Sequence, residues 1–90
     1  MQRELKQDLE EIVKHLNRST DSAFAGKSVA ELKAFAEGCL EKTINNENPD
    51  FDELKYFLAP TGALQETSID NGWGEEFLRI AATIEKHIQL

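Results

Sequence analysis

The sequence predicts an all-α fold: a compact bundle of three longer helices plus one short helix, with a long loop before the last helix. Three observations lead there. Apolar residues recur at spacings of three and four in separate stretches. No stretch of useful length alternates in the manner of a strand. Clusters of Asn, Pro and Gly punctuate the chain where those stretches end. Ninety residues, 40% hydrophobic and 30% charged, suit one helical domain, 1–90, with a real core.

Residues 2–17 read as an amphipathic helix through Leu5, Leu9, Ile12, Val13 and Leu16. Glu10 and Lys14 stand four apart in the favourable order. Asn17 to Asp21 supply turn chemistry and Gly26 breaks the chain again, with Phe24 expected to drop into the core from the loop.

The strongest helix is expected over 28–45. Ser28 followed by Glu31 forms a capping box, in which each side chain satisfies the other residue's backbone N–H. Val29, Leu32, Phe35, Ala36, Cys39, Leu40 and Ile44 trace one apolar stripe. Gly38 inside the helix costs up to about 1 kcal/mol against Ala; such a glycine often permits close approach of a helix. Asn45, Asn46 and Asn48-Pro49 end the element.

Asn48 is expected to cap a short helix over 49–58 with Pro49 at its first position. That helix presents Phe51, Leu54, Phe57 and Leu58, leaves Tyr56 off the stripe, and stops at Pro60. Residues 60–74 form the long connection, with room for one short helical turn between Pro60-Thr61-Gly62 and Asp70-Asn71-Gly72. The last helix covers 75–89 with Phe77, Ile80, Ala81, Ile84 and Ile88 inward and Leu78 beside them. Glu75 and Glu76 at its start and Lys86 and His87 near its end suit the helix dipole.

Catalytic signatures are missing from this pattern. His15 and His87 have no partner at ligand spacing, and read as surface or interfacial histidines. Cys39 sits on an apolar stripe and reads as inert packing. Ser19, Ser22, Ser28 and Ser68 lack a nucleophile elbow, and Gly62, Gly72 and Gly74 do not follow a strand as a phosphate loop requires. The run from Asp70 to Glu76 superficially resembles a calcium loop, yet lacks the regular oxygen ligands and the spaced glutamate. No enzyme activity, cofactor or metal is therefore expected.

Charge narrows the partner. The net charge is −7, which disfavours phosphate backbones and anionic membrane surfaces. The longest apolar runs fall far short of the roughly 20 residues of a membrane span. Met1 leads directly into Gln-Arg-Glu-Leu-Lys, so no secretion signal is expected, and a single cysteine fits a reducing cytoplasm. Over 45–76, Lys55 stands alone against eight carboxylates, a local balance of −7 equal to that of the whole chain. Asp50, Asp52 and Glu53 are explained by a helix N-terminus. The stretch from Glu66 to Glu76 reads instead as a patch that meets a basic partner.

Segment 56–76 is accordingly the candidate recognition surface, with Tyr56, Gln65, Glu66, Asp70, Asn71, Trp73, Glu75 and Glu76 as its candidate contacts. Loops on rigid scaffolds carry function, and Tyr and Trp are favoured interface anchors. The competing reading is structural: Leu64, Ile69 and Trp73 pin the connection to the bundle. It is preferred for Trp73. Acids facing outward and apolar residues packing inward satisfy both readings.

The run Leu54 to Glu66, followed by Ile69 to Leu78, resembles a signature of small uncharacterised bacterial helical proteins, some of which resemble immunity proteins encoded beside toxins. The likeness spans residues 54–78 and supplies no motif with assigned roles. It implies a stoichiometric inhibitor that binds a cognate, often basic, toxin domain. The alternatives are a structural or regulatory helical protein that self-associates, for example through Leu78 and Leu90, and a small-ligand binder or enzyme built around Tyr56, Asp70 and Trp73. The last is least favoured.

Overall fold

The computed structural model describes the chain except residues 1, 24, 60, 61, 89 and 90, together with the side chains of Gln2 and Ile88. Five helices follow in order: α1 Gln2–Asn17, α2 Val29–Ile44, α3 Phe51–Phe57, α4 Ala63–Asp70 and α5 Gly74–Ile88. No described residue lies in a strand. The expectations for Phe24, Pro60 and Leu90 fall outside the described residues.

Apolar periodicity builds the centre. Leu5, Leu9, Ile12 and Leu16 of α1 are buried against Leu32, Ala36 and Cys39 of α2 and Phe77, Ile80, Ala81 and Ile84 of α5. Helix α1 packs on α2 and α5, while α4 packs on α5 and α2. The radius of gyration is 12.0 Å, matching the roughly 12 Å of a compact chain of this length. No described helix is long and apolar enough to cross a membrane.

Helix ends are fixed by local chemistry. Ser28 and Glu31 form the expected capping box, and Asp21 adds a second acceptor for the start of α2 at 2.7 Å from the Val29 N–H. At the other end Asn46 takes φ +60°, and the Glu47 N–H reaches the Lys42 carbonyl at 2.7 Å. With Asn46 N–H on the Thr43 carbonyl, this is a Schellman motif with asparagine in the left-handed position. The cap of α3 differs from expectation. Asp50, not Asn48, accepts from the Asp52 and Glu53 N–H groups. An aspartate two residues before Asp52 fills the orphan donors directly, and Pro49 packs inward as a buried residue before the helix starts.

The connection 60–74 holds more structure than one turn: α4 has eight residues. Its inward face is Leu64, Thr67 and Ser68, so two of three buried side chains are polar. Ser68 satisfies its hydroxyl on the Gln65 carbonyl at 2.7 Å. Ile69, expected to pin the segment inward, is exposed, and so is Ile44 of the α2 stripe. A second Schellman motif ends α4, with Gly72 at φ +80° and the Trp73 N–H on the Ser68 carbonyl at 2.9 Å. Gly74 is closely approached as well: a Cβ there would stand 3.2 Å from the Ile69 side chain, which would have to give by a few tenths of an ångström.

Candidate functional site

The α4–α5 turn is clamped onto the end of α1. Trp73 is buried, and its indole N–H donates to the Ser19 hydroxyl at 3.0 Å. Ser19 in turn donates to the His15 carbonyl at 2.8 Å. The His15 ring stacks on Trp73 with centroids 4.6 Å apart and planes within 8°, and its Nε2 lies 3.0 Å from Glu76 Oε2. Asn71 pairs with the Thr20 backbone like a strand neighbour: its Oδ1 accepts from the Thr20 N–H and its Nδ2 donates to the Thr20 carbonyl, both at 2.9 Å. The same Nδ2 also donates to the Thr67 carbonyl. The Ser22 hydroxyl donates to Asp70.

Four of the eight candidate contacts therefore have structural work. Asn71, Trp73 and Asp70 hold the α1–α2 loop to the end of α4 and the α4–α5 turn, and Glu76 ties α5 to His15 of α1. Gln65 is half-buried and also has an internal partner. Glu75 is exposed and Glu66 half-buried, and neither makes an ion pair with a described residue. Tyr56 is 77% exposed, a large aromatic side chain in water on the surface of α3.

Tyr56 stands at a cleft of about 740 Å³ between the start of α2, α3 and the start of α4. Its walls and floor include Leu32, Phe35, Phe57 and Leu64. Phe35 and Phe57 pack ring against ring, centroids 4.6 Å apart. Charged side chains border the same space: Glu31, Asp52 and Glu53, with Lys27. Phe35 and Glu53 also line a smaller hollow of about 300 Å³ that extends along α2 past Gly38 to Lys42 and Asp50. Asp70 and Trp73 do not line the cleft, so it does not bring Tyr56, Asp70 and Trp73 together. Asp52 and Glu53, expected to serve only a helix start, border the cleft. The sequence signal for this was present in the off-stripe position of Tyr56 beside two carboxylates on a short helix.

The other polar cluster lies along α1 and α5, which run antiparallel. Glu4 faces His87 at 3.1 Å, Glu11 meets Arg79 at 2.8 Å, and His15 meets Glu76. The His87 Nε2 is off the hydrogen-bond line to Glu4 and is buried without a hydrogen-bond partner. Asp8 lies in this row at 6% exposure, its Oδ2 buried without a partner. Burial pushes the Asp8 carboxyl above its ordinary value. Glu11 and Glu4 add to the rise, while His87 and Arg79 oppose it. Burial likewise pushes the Cys39 thiol up, which keeps it protonated and unreactive. Among the described residues no group of three or more His, Cys, Asp or Glu is placed to hold a metal ion.

Compared with protein-family models, curated proteins and solved structures, the chain matches none.

Proposed function

We propose that this chain is a protein-binding domain, not an enzyme, that engages a basic partner through the acidic face of residues 45–76. One observation carries the reading. Asp52, Glu53, Glu66 and Glu75 are at least partly exposed and make no ion pair with a described residue. Each stands in the first turn of its helix, where the helix dipole returns about 0.3–1 kcal/mol, but like charges left without a cation on one segment also repel one another. They create a field that speeds the encounter with a cationic surface and orients it. Tyr56 adds an exposed aromatic anchor on the same segment.

An immunity-type inhibitor of a basic toxin domain, acting in the cytoplasm, is the specific form this reading takes. The test is to purify the product of the neighbouring gene separately and titrate it by calorimetry at low and at raised salt. Saturable one-to-one binding that weakens with salt, mainly through the on-rate, is expected. Binding that is indifferent to salt removes the electrostatic basis, and no binding removes the immunity form.

A second reading is self-association. Ile69 and Leu78 are 54% and 57% exposed. Ile69 lies over Gly74, and Leu78 is one turn further along the same face of α5, so the two form an apolar edge. Sedimentation over a range of concentrations separates the readings: the inhibitor is a monomer at every concentration, whereas a self-associating chain gains mass.

A further inference from the structure

The geometry points to the α2–α3–α4 cleft and its continuation along α2 as a groove for one short amphipathic helix of a partner, basic on its outer edges and apolar on its inner face. This rests on the protein-binding reading and deepens it by moving the contact away from Glu66–Glu76 to the space lined by α2, α3 and the start of α4. Charge complementarity selects the occupant. Four carboxylates, Glu31, Asp50, Asp52 and Glu53, border the cleft and hollow against Lys27 and Lys42. Half-buried Phe35 and exposed Tyr56 offer apolar surface between them, over a floor of buried Leu32, Phe57 and Leu64.

The occupant's form follows from the walls. No described residue offers a strand edge for an added strand, and side-chain ridges on helices receive the ridges of another helix. From Glu31 to Lys42 the groove follows α2 for about 17 Å, the length of a three-turn helix.

Gly38 gives a second, independent indication of close approach along that line. It lies in the middle of α2, is exposed, and has nothing within 4 Å of where a Cβ would stand. Internal packing does not require it. Its position in the wall of the hollow is where a docked backbone gains from the absent side chain.

A phage-displayed library of 12-residue peptides, selected at low salt on the intact chain, tests the proposal. Enriched peptides are expected to carry Lys or Arg in excess and apolar residues at helical spacing. On titration their amide-shift footprint should centre on residues 31–42 and 52–57. Gly38→Gln, which fills the hollow, and Tyr56→Ala, which removes the exposed anchor, should each weaken the best peptide at least tenfold without lowering the melting temperature. Basic peptides whose footprint lies at Glu66 and Glu75, and which Glu66→Lys weakens while Gly38→Gln does not, overturn the groove and leave the basic-partner reading standing. Enriched peptides without a cationic excess overturn both.

Discussion

Removing the Ser19 hydroxyl tests whether the clamp between α1 and the α4–α5 turn is a connected unit. In the folded chain Ser19 accepts from the Trp73 indole and donates to the His15 carbonyl. Ser19→Ala leaves a buried indole N–H without its acceptor, a loss of about 1–3 kcal/mol. Trp73→Phe keeps an aromatic ring in the site but removes the donor. In that background Ser19→Ala should cost about 1 kcal/mol less than in the parent. A 90-residue domain holds about 5–13 kcal/mol in all, so each variant stays folded enough to measure. Trp73 is the only tryptophan, so urea unfolding must be followed by far-ultraviolet circular dichroism. A cost for Ser19→Ala that is the same in both backgrounds refutes the relay and reduces the serine to a packing residue.

Gly38→Ala should raise stability by up to about 1 kcal/mol, or about 4–8 °C in Tm, because the added methyl meets nothing and helix propensity improves. Asp8 carries the pH signature. Its folded carboxyl titrates above the unfolded value of 3.8, so between those two points the native state binds more protons and stability rises as pH falls. Asp8→Asn removes that dependence: thermal melts should show it at least as stable as the parent at neutral pH, with the advantage gone once the pH is below 3.8. Cys39 should react with a thiol reagent many-fold more slowly in the native chain than in urea, since it is buried and held as the thiol. Arg79→Ala should change stability by no more than about 1 kcal/mol, because its pair with Glu11 is largely exposed.

The fold was legible wherever burial and apolar spacing coincide. Helices α1 and α5 each bury one regular stripe, and the Ser28–Glu31 box marks the start of α2 to the residue. Helix α4 escaped because Thr67 and Ser68 occupy its inward positions while its apolar Ile69 faces water, so no apolar period is there to read. Asp50 overtook Asn48 as a cap because an acceptor only two and three residues from the orphan N–H groups wins over a residue preceding a proline.

The candidate surface was legible in part. Composition located the charge in 45–76, and the exposure of Tyr56 and Glu75 agrees with an outward face. The roles of Asn71, Asp70 and Glu76 depend on partners roughly 50 to 60 residues earlier in the chain, a distance over which local pattern carries no information. The cleft is hidden for the same reason. It assembles from the starts of α2 and α4 and one side of α3.

The most direct test of the acidic face compares a partner's affinity for the parent chain with that for Asp52→Asn, Glu53→Gln, Glu66→Gln and Glu75→Gln combined, at one low salt concentration. A Kd at least tenfold higher is expected for the combined variant, which stays folded although it gives up four first-turn helix-dipole contributions of about 0.3–1 kcal/mol each. An unchanged Kd in the folded variant would contradict the acidic-face reading, because the carboxylates would then do nothing for a partner.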